Sequence, residues 1–175
     1  TDKGKLWVLN ASENGIERNE FDKKSTYQRH IVDLMIHDVI GNYPIVHLDN
    51  GAPLIEAFPR KHISLSHSGE WIAVYWGDEP LGVDVQEMTK TLMEKRHFFV
   101  NIEEEAKLDM TEKNLNLIWG AKEVLYKKRQ GSIKNYKEDI CIKQITKTSI
   151  EVLFNQTLYL FNYSLLDNRV VVYSV

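Results

Sequence analysis

The sequence predicts an α+β fold, and three observations carry that reading. Short alternating apolar segments recur from one end to the other, amphipathic helical patterns interrupt them, and the strand-like segments come in runs joined by tight turns. "KLWVLNA", residues 5–11, opens as a strand. "STYQRHIVDLMIHDVIG", 25–41, follows as a helix whose Ile31, Leu34, Met35 and Val39 form one buried stripe. Ser25 is placed to cap it, with Gln28 at capping-box distance, and Gly41 suits its C-terminal stop. Pro44, Gly51, Pro53 and Pro59 then punctuate a loop. "HISLSH" and "EWIAVYWG" read as strands, and "LGVDVQ" as a third after the turn "GDEP". Beyond Glu87 the pattern turns helical through "TKTLMEKRHFFV", "IEEEAKLDM" and "TEKNLNLIWGAKEVLYKKR". After Gly131 the chain is strand-like again in "ICIKQI", "SIEVLF", "TLYLFNYSLL" and "RVVVYSV". Each half therefore holds helix plus mostly antiparallel strands.

With 175 residues the chain has room for one domain, or for two small halves sharing a core. A net charge of −3 gives no reason to expect a nucleic-acid binder, although basic clusters occur at Lys23-Lys24, Arg60-Lys61 and Lys127-Lys128-Arg129. Each cluster taken alone reads as solvated surface. The single cysteine, Cys141, rules out an internal disulfide and lies in an alternating strand pattern, so it reads as an inert thiol in a reducing compartment. No apolar run reaches the length of a membrane span and no signal peptide is recognisable, so the expected location is the cytoplasm.

Three segments could carry chemistry. In "LGVDVQ" the aspartate sits at the centre of a strand, where its type is depleted. Alternation puts Leu81, Val83 and Val85 on one face and Gly82, Asp84 and Gln86 on the other. Asp84 is either an edge charge facing water or a carboxylate that something neutralises, beside a glycine that lets another group approach. In "WGAKEVLYK", 119–127, Leu117, Ala121, Val124 and Leu125 fall together on the helical wheel, while Trp119, Lys122, Glu123, Tyr126 and Lys127 gather opposite. That second stripe either lines a cleft or is a solvated face with a Glu123–Lys127 pair worth about 0.3–0.5 kcal/mol. In "SLSHSG", 64–69, the spacing does not fit a hydrolase elbow, and Ser66, His67 and Ser68 read as hydrogen-bond donors for an anion. The six histidines form no zinc-binding pattern.

In order, these segments resemble the 4'-phosphopantetheinyl transferases, most nearly the surfactin-synthetase type. "NGAPLI" is similar to the G-K-P segment of that family, "ISLSHSGEWIAVYWG" to its N-x-S-H-S-G region, and "LGVDVQ" to G-[IV]-D-[IV]-E. "FFVNIEEE" resembles F-F-x-x-x-E, and "WGAKEVLYK" resembles W-[ST]-x-K-E-[AS]-x-x-K. The likeness spans roughly residues 50 to 131. It departs from the family at Gln86, where glutamate is usual, at Gly120 and Val124, and at Ser64 in place of asparagine.

The resemblance implies two similar α/β halves, 1–87 and 88–175, in a pseudo-twofold pair with the site in the cleft between them, and a monomer. It implies transfer of phosphopantetheine from coenzyme A to a serine of an acyl or peptidyl carrier protein, with Mg²⁺ required and adenosine 3',5'-bisphosphate released. Asp84 and Glu123 would hold the metal, with Gln86 on the same strand face as a poorer ligand. Glu123 would serve as base, and Lys122 and Lys127 would meet the phosphates. His67 would contact the adenosine 3'-phosphate, Ser66 and Ser68 nearby oxygens, and Lys23, Lys24 and Arg29 would add cations at the first helix. Trp119 and Phe98 would close the interface between halves. Two other readings fit the same residues: a non-catalytic homologue that binds coenzyme A or a carrier, and a metal-dependent phosphohydrolase.

Overall fold

Strand alternation builds the first sheet of the computed structural model, which describes residues 4–16 and 21–175, with Lys24 described by its backbone alone. Strand β1 (Lys5–Asn10) pairs antiparallel with β5 (Trp71–Gly77), and β5 pairs with β4 (His62–Ser68), giving the order β1-β5-β4. One face of this sheet carries Ile63, Ile72 and Val74 and is covered by α1 (Lys24–Val39) through Tyr27, Ile31, Val32, Met35 and Ile36. Burying each of these aliphatic side chains contributes about 1.5–3 kcal/mol. The helix differs from expectation at two places. It begins at Lys24 with Lys23 at the cap position and no side-chain cap, so Ser25 lies inside the first turn and does not cap. Leu34 faces out at 37% exposure, because the buried stripe runs one residue further round. Gly41 stops the helix as expected, in left-handed backbone with its N–H on the Ile36 carbonyl.

The loop that follows contains a small hairpin, β2 (Ile45–His47) with β3 (Pro53–Ile55). Strand β6 (Val83–Glu87) comes next, and after it three helices: α2 (Thr91–Lys95), α3 (Ile102–Lys107) and α4 (Glu112–Lys128). Asn101 and Thr111 cap α3 and α4 through their side chains, and Asn101 forms a reciprocal box with Glu104. A one-turn helix α5 (Tyr136–Asp139), absent from the sequence reading, precedes β7 (Ile140–Ile145), β8 (Ser149–Phe154), β9 (Thr157–Leu166) and β10 (Arg169–Ser174). The second sheet has the antiparallel order β6-β10-β9-β8-β7. Its inner face, with Ile140, Ile142, Ile150, Val152, Phe161, Val170 and Val172, packs on Leu117, Ala121, Val124 and Leu125 of α4.

The architecture is thus mixed helix and antiparallel sheet, as the α+β reading expects. In each sheet the opening strand pairs antiparallel with the closing one, β1 with β5 and β6 with β10. Strand β6 is paired into the second sheet and packs on the first. Its Val83 and Val85 pack with Val171 of β10 against Ala73 and Tyr75 of β5, which joins the sheets face to face. The seam is completed by side chains. Ser64, Ser66 and Ser68 lie on the same face of β4, and their hydroxyl oxygens accept the N–H groups of Val83, Val85 and Glu87, each at 3.1 Å.

Candidate functional site

Glycine sets how closely α4 approaches β6. A Cβ at Gly82 would lie 2.2 Å from the Val124 carbonyl oxygen, so only glycine lets the helix backbone sit directly on the strand. The close approach that the sequence suggested beside Asp84 is therefore made by α4 itself. The two elements run antiparallel. Gln86 lies by Asn116, Asp84 by Gly120 and Lys127, and Gly82 by Val124 and Lys128. The alternation read from the sequence holds, with Val83 and Val85 toward the first sheet and Gly82, Asp84 and Gln86 toward the helix.

Asp84 is buried and its charge is met. Its Oδ1 accepts from Lys127 Nζ at 2.9 Å and from the Ser66 hydroxyl at 3.0 Å. Lys127 also donates to the Val83 carbonyl at 2.8 Å. Glu123, one turn before Lys127, is close enough to feel both. Burial and then the Asp84 charge push its carboxyl above the usual carboxylate range, and Lys127 and a hydrogen bond from Tyr136 partly offset this. Burial and the nearby Glu123 in turn hold the Tyr136 phenol well above its ordinary value. Strand and helix thus bring together two carboxylates and one ammonium.

That donor set fits a hard divalent cation. Mg²⁺ takes oxygen ligands, commonly one or two protein carboxylates, and keeps its remaining places for water and phosphate. Asp84 Oδ2 carries neither the Ser66 nor the Lys127 bond, and lies 3.6 Å from where a Gly120 Cβ would stand. The Gln86 amide nitrogen donates to the Asn116 carbonyl at 2.5 Å, so only its Oε1 remains to act as a ligand. Among the described residues no cluster of three or more His, Cys, Asp or Glu could hold a metal. A site here rests on two carboxylates.

The remaining predicted residues fall in several places. Arg29 and His67 line one cleft of about 810 Å³ between α1, the 41–47 loop and β4. Lys127 lines a second cavity of about 500 Å³ between the β2–β3 hairpin, β4 and the end of α4. The two hollows adjoin at His47 and Leu65, which line both, and make up the groove beside β4. Lys23 is exposed at the start of α1 and is not among the residues lining the cleft, and the Lys24 side chain lies outside the described residues.

Lys122 and the serines are engaged elsewhere. The Lys122 ammonium is fully buried, on the opposite side of the helical wheel from Gly120 and Lys127. It meets Glu104 at 2.9 Å and the carbonyls of Phe99, Tyr136 and Ile140 at 2.6, 3.2 and 3.0 Å. Burial lowers its pKa, and Glu104 opposes that shift. Its surroundings hold no room for a phosphate, so the expected phosphate contact gives way to a structural ion pair. Ser66 and Ser68 point into the sheet seam rather than into the groove. Trp119 packs edge-on against Phe99 and at a tilt against Tyr136, beside the core of the second sheet, whereas Phe98 is 69% exposed and closes no interface. Tyr136 was missed by sequence reasoning. The signal was Asn135, whose side chain accepts from the N–H groups of Lys137 and Glu138 and so starts α5.

A stretch of 39 residues is 41% identical to the 4'-phosphopantetheinyl transferase psf-1 of Bacillus pumilus, covering 22% of this chain and 17% of that protein. The likeness is to phosphopantetheinyl transferases. The 4'-phosphopantetheinyl transferase ffp of Bacillus subtilis is 28% identical over 79 residues, 41% of this chain and 35% of the relative. Another 4'-phosphopantetheinyl transferase of Bacillus subtilis is 42% identical over 38 residues, 22% of this chain and 17% of the relative. The matches span about a third or less of the length of these curated relatives. No family model matches the chain. Among the described residues no helix is long and apolar enough to cross a membrane.

Proposed function

We propose that the chain transfers 4'-phosphopantetheine from coenzyme A to a serine of a carrier protein, as a cytoplasmic monomer of the surfactin-synthetase type. In this reading residues 1–87 and 88–175 form two pseudo-twofold halves with the site between them. The observation that carries it is the convergence of Asp84 from a strand and Glu123 from a helix beside Lys127, in a chain similar to named 4'-phosphopantetheinyl transferases.

Asp84 and Glu123 would hold Mg²⁺, with Gln86 offering Oε1. Bound there, the ion would neutralise charge on the pyrophosphate as it is cleaved. The protein's own groups do the rest. Arg29 and His67 hold the adenosine 3'-phosphate at the far end of the groove, and Lys23 and Lys24 add positive charge at the start of α1. The pantetheine arm lies along the second cavity. Glu123 takes the proton of the carrier serine hydroxyl as the serine oxygen bonds to the pantetheine-linked phosphorus. The bond from that phosphorus to the bridging oxygen breaks, Lys127 neutralises the oxygen, and adenosine 3',5'-bisphosphate leaves.

Intact-mass measurement of an apo-carrier with coenzyme A and Mg²⁺ tests this reading. The carrier is expected to gain one phosphopantetheine arm, and Asp84→Ala and Glu123→Ala to abolish the gain. Unchanged transfer by either variant rejects the site. A second reading, a non-catalytic homologue, is favoured by the commitment of the Gln86 amide to α4, and coenzyme A binding without transfer to a panel of carriers would select it. Free phosphopantetheine formed without a carrier would select a phosphohydrolase.

A further inference from the structure

The Ser66 hydroxyl has no hydrogen left to donate to a substrate, and both of its partners lie on β6. Its oxygen accepts the Val85 N–H at 3.1 Å, and its single hydrogen goes to Asp84 Oδ1 at 3.0 Å. Ser66 is 7% exposed and Asp84 is equally buried. Ser64 supplies a control within the same seam. It lies two residues away on the same face of β4, is 3% exposed, and accepts the Val83 N–H at the same 3.1 Å. The two serines thus do the same structural work on alternate amides of one strand, and Ser66 alone has the bond to the carboxylate.

We infer that Ser66 is a positioning residue that fixes the rotation of the Asp84 carboxylate and presents Oδ2 to a divalent cation. The inference rests on the metal-binding reading of Asp84 given above. A carboxylate on a two-bond side chain can turn about its last torsion, which is broad and soft. With Oδ1 held on one side by Ser66 and on another by Lys127, that torsion is pinned. If Lys127 turned from Asp84 to a phosphate, Ser66 would remain as the hydroxyl that holds Oδ1. Hydroxyls behind metal-ligating carboxylates set affinity in this way, and their removal weakens binding by about 10–100-fold. The neighbouring His67 points to the other face of β4, where it lines the cleft beside α1.

Direct titration of Mn²⁺ into the full chain with coenzyme A present, followed by the paramagnetic resonance of the free ion, reads the effect without relying on turnover. Ser66→Ala is expected to weaken Mn²⁺ binding about 10-fold or more, and Ser64→Ala by less than about 2-fold. Both variants should lose thermal stability, because each leaves one β6 amide without its acceptor, and Ser66→Ala should lose more, because it also removes a donor from the buried Asp84 carboxylate. Equal weakening by the two variants, or unchanged affinity in Ser66→Ala, would overturn the positioning role while leaving the metal site standing. Failure of the unmodified chain to bind Mn²⁺ at all would instead remove the metal reading on which the inference rests.

Discussion

Replacing Gly82 by alanine would separate the two halves of the candidate site at the point where they touch. The backbone there does not lie in the left-handed region, so the effect is steric alone. The added methyl would stand 2.2 Å from the Val124 carbonyl oxygen, 3.1 Å from its carbon and 3.2 Å from the Lys128 nitrogen. All three are helix backbone, so no flexible side chain can give way. Restoring an ordinary contact of 3.4 Å requires α4 to lift by about 1.2 Å at this end. Overpacking of this kind costs about 1–3 kcal/mol, which for a chain of this length lowers Tm by about 2–12 °C. The same lift moves Glu123 and Lys127 away from Asp84, and a displacement near 1 Å in a reacting constellation costs about 100-fold in rate. Thermal denaturation and carrier modification by intact mass, measured on the same sample, read both effects. A variant as stable and as active as the parent would refute the claim that glycine is required for this contact.

Three other outcomes follow from the geometry. Glu104→Gln keeps the shape of the buried partner but leaves the Lys122 ammonium facing a neutral amide, and should cost about 3–5 kcal/mol in urea unfolding. Glu123→Gln should stabilise the metal-free protein at neutral pH, because the folded state raises the Glu123 pKa above its unfolded value of 4.5. The contribution of the native carboxyl is fully present below pH 4.5 and is lost as pH rises through the raised value, so the Tm gap between variant and parent should close on acidification; a gap independent of pH would count against it. Gln86→Glu replaces an N–H that meets the Asn116 carbonyl at 2.5 Å with a second acceptor, and should lower metal-free stability by about 1–3 kcal/mol; a stabilised variant would contradict that.

The strands were legible because their burial alternates. Ile140 and Ile142, and then Ile150, Val152 and Phe154, announce one buried face each, and the register follows. The strand face of Asp84 was legible for the same reason, and Gly82 beside it pointed to a close neighbour. What the residues could not reveal was which side of α4 meets that strand. A helical wheel places Lys122 beside Trp119 and Tyr126, opposite the apolar stripe, and only the tertiary partner Glu104, 18 residues earlier, draws Lys122 into the core. The serines posed the converse problem. Their period of two was plain in "SLSHS", but a hydroxyl that accepts a foreign strand's amide looks the same in sequence as one waiting for an anion. The mistaken cap at Ser25 is a local ambiguity, since helix ends shift by a residue or two without changing the pattern.

The three serines along β4 also decide how the protein behaves toward its neighbours in a crowded solution. A strand at the rim of a sheet invites pairing with any extended chain that passes, and β6 stands at such a rim. Here every second amide is already occupied by a hydroxyl and the opposite side is laddered to β10, so a stray polypeptide finds nothing to grip. The edge strand that holds Asp84 thus has its outward amides at Val83, Val85 and Glu87 already taken within the fold.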